Sequence, residues 1–176
     1  MLLSRFMALF FLLILSSNAG ASALDNAIPE KFVVQFYKSI LSEDVDEADI
    51  FSGKYIDDKL LASINLSSLC NYDSEEKELS NAIKTKCSTQ RECKINKGNY
   101  RCNWDGVWVE NDVNYFTKSQ DIYPSWRNKI RLKKIRGKAN YATYAVTFGD
   151  CTDVVKTLYV SLIRKASGWK IISVTE

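Results

Sequence analysis

The chain has 176 residues, 46% of them hydrophobic and 26% charged, a composition that excludes a disordered or fibrous protein and suits one globular domain. Its formal charge of +3 is too small for a general nucleic-acid binder. With no histidine it lacks the commonest general base and any Ser-His-Asp or Cys-His arrangement.

Met1 to Ala23 reads as a signal peptide rather than as fold. Arg5 is its one charge, Phe6 to Leu15 is an unbroken apolar run, and Ala21-Ser22-Ala23 supplies small residues for cleavage. The run is too short to span a membrane, and no later stretch reaches roughly 18 apolar residues, so no span is expected after cleavage. Residues 24–176 are then expected to be a single domain, exported to the bacterial periplasm.

Pro29 suits a first helical turn, and Phe32, Phe36, Tyr37, Ile40 and Leu41 recur at helical spacing, which predicts a helix with one core-facing stripe. The acidic stretch Glu43 to Asp49 is expected to be an exposed connection, since the glycine-bearing pattern of a calcium loop is absent. After a turn at Ser52-Gly53, Asp57 or Asp58 can cap a short helix carrying Leu60, Leu61 and Ile64. Asp73 with Glu76 resembles a capping box for a third helix, with Leu79 and Ile83 on one side and its end near Cys87.

Five cysteines follow, Cys70, Cys87, Cys93, Cys102 and Cys151, and an oxidising compartment lets disulfides persist. The four between Cys70 and Cys102 predict two disulfides stapling an insert at about 70–102. Four cysteines allow three connectivities. The pairing taken here is Cys87–Cys93 and Cys70–Cys102, leaving Cys151 free or intermolecular, where it could link a homodimer. No Cys-x-x-Cys occurs, so no metal site and no cofactor is expected.

Between Lys94 and Asp121 the pattern is least regular, with Asp105-Gly106 as a turn. The loop Lys94 to Arg101 carries Lys94, Lys97, Tyr100 and Arg101, residue types suited to an interface. Trp104, Trp108 and Trp126 with Asp121 are further candidates for a binding surface or pocket. For Asp121, the structural reading has its carboxylate bonding backbone N–H groups ahead of Trp126.

The last fifty residues alternate with period 2. Ile130 and Leu132 are followed by a turn at Gly137-Lys138. Ala142, Tyr144, Val146 and Phe148 share one face, then Leu158, Val160 and Leu162, and after Ala166-Ser167-Gly168 a final strand runs from Trp169 to Val174. Four strands with short links predict an antiparallel meander, and with the helices before it an α+β fold, N-terminal helices packed on a curved C-terminal antiparallel sheet. The run Arg127, Lys129, Arg131, Lys133, Lys134 and Arg136 is expected to be a solvated strand face that blunts sheet pairing, with an acidic partner as the competing reading.

Several of these residues occur in an order that resembles the bacterial exported family called domain of unknown function 3828 (DUF3828): Phe32 and Phe36-Tyr37 after a proline, the loop around Asp105, Gln120-Asp121 followed by Trp126, then Ala139, Ala145 and Val146, and the terminal Gly168-Trp169-Lys170-Ile171. The likeness runs from about Pro29 to Val174, and the cysteine-bearing stretch departs from it. It implies a nuclear transport factor 2-like, or cystatin-like, cone and carries no active site across.

A small, exported, disulfide-stapled domain without catalytic residues predicts a binding protein of the cell envelope whose partner is another protein. One concrete version is an immunity-type inhibitor of an envelope-degrading effector. The alternative is a small-molecule-binding or isomerase/dehydratase-like pocket protein, using an aspartate among Asp105, Asp112 and Asp121 with Tyr115 or Tyr123, lined by Trp104, Trp108, Tyr115 and Trp126.

Overall fold

A computed structural model describes residues 28–43, 53–71, 80–96 and 98–176. The signal-like segment, most of the acidic stretch, the Asp73/Glu76 capping box and Lys97 lie outside the described residues. Helices come first and two antiparallel sheets follow, so the α+β class and the four-strand meander are as expected.

Helix α1 is Pro29–Ile40, with the proline at its first turn, where a missing N–H costs nothing. Phe32, Phe36, Tyr37, Ile40 and the following Leu41 are buried, which is the stripe the spacing foretold, and Val33 is buried beside them. Glu30 in the first turn and Lys38 in the last both oppose the helix dipole favourably. Tyr37 donates its hydroxyl to Phe116 O at 3.1 Å, and burial, with Tyr115 close by, holds that phenol far above its ordinary pKa.

Residues 55–57 then run beside the last strand of the main sheet. Ile171 N donates to Tyr55 O at 2.8 Å and Asp57 N to Ile171 O at 2.9 Å, a short parallel bridge centred on Ile56. Helix α2, Asp58–Asn71, is longer than Leu60, Leu61 and Ile64 alone predict. Asp57 Oδ1 accepts from Lys59 N at 3.1 Å, so the aspartate cap is in place. Within α2 the buried residues are Leu60, Ser63 and Ser67, a narrow contact strip that shows little as apolar periodicity. Helix α3, Asn81–Ser88, is capped by Ser80, whose Oγ accepts from Ile83 N at 3.4 Å.

Strands β1 (Cys93–Asn96), β2 (Asn99–Trp104) and β3 (Val107–Glu110) form a small antiparallel sheet in a region with no legible period. Strands this short, with cysteine, asparagine and charge alternating with aromatics, leave no repeat to detect. Asp105 (φ 51°) and Gly106 (φ 89°) make the tight turn between β2 and β3, as the Asp-Gly pair predicts.

The short helix α4, Pro124–Asn128, delivers Trp126 into the core. The main sheet follows in sequence order: β4 (Ile130–Lys138), β5 (Tyr141–Phe148), β6 (Lys156–Lys165) and β7 (Gly168–Thr175). The first hairpin turns at Ala139-Asn140, not at Gly137-Lys138, because Gly137 pairs with Ala142 and Lys138 with Tyr141 inside the ladder. A Cβ at Gly137 would meet only the end of the Lys134 side chain, 2.6 Å from its Cε, beside the bulge at Ile135, a contact that the flexible lysine can relieve by turning away.

One continuous core joins the helices to the inner face of this sheet, and both Phe36 and Val160 belong to it. Its centre is aromatic. Phe36 lies 5.1 Å from Phe116 and 5.6 Å from Tyr55, ring centroid to centroid, and Tyr37 lies 4.7 Å from Phe148. Trp126 in turn stacks against Phe148 at 5.4 Å and donates its indole N–H to Val154 O at 2.6 Å. These tilted and edge-on pairs add to what burial alone supplies.

Candidate protein-interaction surface

The disulfides set the geometry here, and they differ from the expected pairing. Cys70 bonds Cys87 and Cys93 bonds Cys102; Cys151 is free and exposed. Cys93 and Cys102 face each other directly across the β1–β2 hairpin, with Cα atoms 4.1 Å apart, a cross-strand proximity that spacing alone does not reveal. Cys70 lies in the last turn of α2 and Cys87 in the last turn of α3, so their bridge ties the ends of two helices. The expected bridges Cys87–Cys93 and Cys70–Cys102 are therefore replaced.

Alternation gives the small sheet two different faces. Cys93, Ile95, Tyr100, Cys102, Trp104 and Val109 occupy one, and on it Cys102, Trp104 and Val109 are buried. Beyond the Cys93–Cys102 bridge the same face leaves the core: Ile95 is 78% exposed and Tyr100 50%, paired opposite each other in register. The other face presents Lys94, Arg101, Trp108 and Glu110. Lys94 Nζ sits 4.6 Å from the Trp108 ring centroid and bonds Glu92 at 2.7 Å, and the Arg101 guanidinium lies 5.4 Å from the same ring. Arg101 Nε is buried with no hydrogen-bond partner.

Of the residues singled out from sequence, the hairpin thus brings together Lys94, Tyr100, Arg101 and Trp108. Trp104 and Trp126 are core residues, 2% and 0% exposed, and neither joins the exposed surface of the hairpin. Arg91 covers Trp104, its guanidinium 3.7 Å from the ring centroid, and donates to Cys87 O at 3.2 Å. Beside that stack, a cleft of about 290 Å³ is lined by Leu66, Lys86, Arg91, Glu92 and Trp104 among others.

Asp121 is exposed, and it does not hold the Trp126 turn. Asp153 does: its Oδ2 accepts from Ser125 N at 3.1 Å and its Oδ1 from the Ser125 hydroxyl. A carboxylate from the β5–β6 loop, 28 positions away, replaces the local one because it meets the open N-terminus of α4 head-on. Sequence gave no signal for Asp153 or for Ile95.

The aspartate–tyrosine pair of the pocket reading is not assembled. Asp105, Asp112 and Asp121 are all exposed, whereas a general base of this kind needs burial to tune it. Tyr115 is buried in the core, where burial raises its pKa, and its hydroxyl accepts from Val174 N at 3.5 Å. Trp104, Tyr115 and Trp126 are buried in the core, while Trp108 stands on the outer face of the small sheet, so the four line no common pocket. Among the described residues no group of three or more His, Cys, Asp or Glu side chains could hold a metal ion, and no helix is long and apolar enough to cross a membrane.

One further group is unusual for its setting. Burial pushes the Lys118 ammonium down to about 8, against the opposing pull of Glu110 and Glu176 and with the help of Lys156 and Arg101. Its Nζ lies 3.7 Å from the Tyr115 ring centroid.

No family model matches the chain, and no curated protein matches it. Among solved structures the fold matches a chain of the type VI effector-immunity complex Tae3-Tai3 from Ralstonia pickettii, in its selenomethionine and native crystals. The TM-score is 0.52 in both, at 19% and 17% identity, over 85% of this chain and 96% and 95% of that chain. At this identity the likeness is one of fold.

Proposed function

We propose that this chain is an exported, non-catalytic binding protein of the immunity type, which inhibits an envelope-degrading effector by inserting the β1–β2 hairpin into it. The observation that carries the reading is the hairpin itself. Two apolar side chains, Ile95 and Tyr100, stand side by side outside the core on a hairpin braced by the Cys93–Cys102 bridge, with Lys94, Arg101 and Trp108 on the reverse face. A pre-stiffened projection of this kind loses little entropy on docking, and tyrosine, tryptophan and arginine are the types that dominate interfaces. The fold shared with a chain of the Tae3-Tai3 complex supports the reading. The two disulfides fit an oxidising compartment, so the signal-like segment and the periplasm belong to the same proposal. Membership of the family called domain of unknown function 3828, with its nuclear transport factor 2-like cone, belongs to it as well.

The test is isolation of the tagged full-length protein from its native periplasm. We expect a stoichiometric protein partner that is lost with Ile95→Asp and with Tyr100→Ala/Arg101→Ala, while the melting temperature of each variant stays within a few degrees of wild type. A partner retained by all of these variants would show that the hairpin is not the contact.

A further inference from the structure

The main sheet has two unequal outer strands. Along β7, residues 55–57 add themselves by the Tyr55–Ile171–Asp57 hydrogen bonds and close that side. At the other side β4 is hydrogen-bonded only to β5 among the described residues. Its inward residues Ile130 and Leu132 pack against the core, and its outward residues Arg131 and Lys133 are exposed.

Across the ladder, Arg131, Lys133, Arg136 and Lys138 lie opposite Thr147, Ala145, Thr143 and Tyr141, none of which is acidic. Arg136 is engaged with hydroxyls, its Nε donating to Thr143 Oγ1 at 3.3 Å and its Nη2 to the Tyr141 hydroxyl at 3.2 Å. Asp150 is the acid near Lys129 and Arg131; its carboxyl is held below the usual range by Thr152 first and those cations last. Lys133, Lys134 and Lys138 make no ion pair among the described residues.

We propose that the free edge of β4 over Ile130–Lys134 accepts an acidic extended segment of a partner protein as a fifth strand. Side chains on one face of a strand recur every roughly 7 Å, so a segment with carboxylates at alternate positions would set them against Arg131 and Lys133 in register. Main-chain hydrogen bonds along the edge would supply attachment and the cations would select the sequence. The bulge at Ile135, which breaks the register after Lys134, limits the pairing to the first half of the strand. A second copy of this chain does not fit, because two such edges would bring like charges face to face. This edge belongs to a different sheet from the β1–β2 hairpin, and the proposal stands or falls independently of that one.

The test follows backbone amide shifts of the full-length protein during titration with a peptide alternating glutamate with valine. We expect shifts confined to residues 130–134 and their β5 neighbours. Arg131→Glu/Lys133→Glu should weaken binding about tenfold, the effect of turning two favourable cross-strand pairs into repulsive ones. A lysine-for-glutamate peptide and a peptide N-methylated at alternate amides should both fail to bind. Equal binding of the N-methylated peptide would replace strand addition by charge attraction alone. The absence of any shift would leave the cations as guards against aggregation and overturn the proposal. So would retention of the protein on phosphatidylglycerol vesicles without peptide binding, which would assign the cations to a lipid surface.

Discussion

Lys118→Met is the substitution whose outcome the structure specifies most closely. The Lys118 ammonium is pushed from the ordinary 10.5 down to about 8, mainly because its surroundings exclude water. Below pH 8 the lysine is charged in both folded and unfolded chains, and the folded chain bears the full cost of burying that charge. Between pH 8 and 10.5 the folded chain releases the proton first, so the unfolded state binds more protons and stability rises with pH. At 1.36 kcal/mol per unit, the cost at pH 7 is about 3 kcal/mol. The backbone of Lys118 is left-handed, φ 49°, in both proteins, so that strain cancels in the comparison.

Urea unfolding of wild type and Lys118→Met, both carrying Cys151→Ser to prevent thiol exchange at high pH, should place the methionine variant's midpoint about 1.5 M higher at pH 7 for a slope near 2 kcal/mol/M. The gap should close as pH approaches 10.5, because groups common to both proteins cancel in the difference. A gap that stays constant across this range would show that methionine improves packing rather than removing a charge. A lower midpoint at pH 7 would show that the contacts to Tyr115, Glu110 and Glu176 outweigh the burial cost.

Replacing Cys70 and Cys87 by serine should cost about 3 kcal/mol, and replacing Cys93 and Cys102 about 2.5, for loops closed over 17 and 9 positions; denaturant midpoints measure both, and a non-reduced peptide map should recover these pairs and no Cys87–Cys93 bridge. Gly149→Ala should lose about 3 kcal/mol or more, since φ is 81° there and a Cβ would lie 2.5 Å from Val154 O and 2.9 Å from Ser125 Oγ; a loss below 1 kcal/mol would mean the β5–β6 loop yields freely. Asp153→Ala should cost about 1–3 kcal/mol by leaving Ser125 N–H without its acceptor, whereas Asp121→Ala should be nearly silent; thermal melts of the pair decide between the two carboxylates. Wild type run on non-reducing gels should show a dimer band that Cys151→Ser removes, if the exposed thiol links two copies.

The parts of the fold that could be read from residue order are those where one period governs a long stretch. Tyr144, Val146 and Phe148 alternate with the small residues Ala145 and Thr147, and Phe32, Phe36 and Tyr37 recur by turns of helix, so burial and periodicity carry the same message. Where the chain is organised by distant partners the message is silent. Cys93 meets Cys102 because a hairpin folds between them, Asp153 reaches α4 from a loop 28 positions away, and α2 buries two serines on the face toward the core. The hairpin surface is half visible: Lys94, Tyr100 and Arg101 stand out by residue type, while nothing in the order of residues places the apolar Ile95 outside the core, as the register beyond the Cys93–Cys102 bridge does. Trp104 and Trp126 show the converse, both buried, since a tryptophan's composition signal is the same on a surface and in a core.

The strip at residues 55–57 ties an early stretch of the chain to its last strand, and Lys170 Nζ reinforces it by donating to Lys54 O, 116 positions upstream, at 2.9 Å. Residues 55–57 cannot settle into their native place before β7 exists, so the helical half gains its full protection only when the final ten residues have arrived. In the export proposed above, that delay would keep the chain pliable until translocation is nearly over. Truncation within β7 would then loosen the beginning of the protein as much as its end.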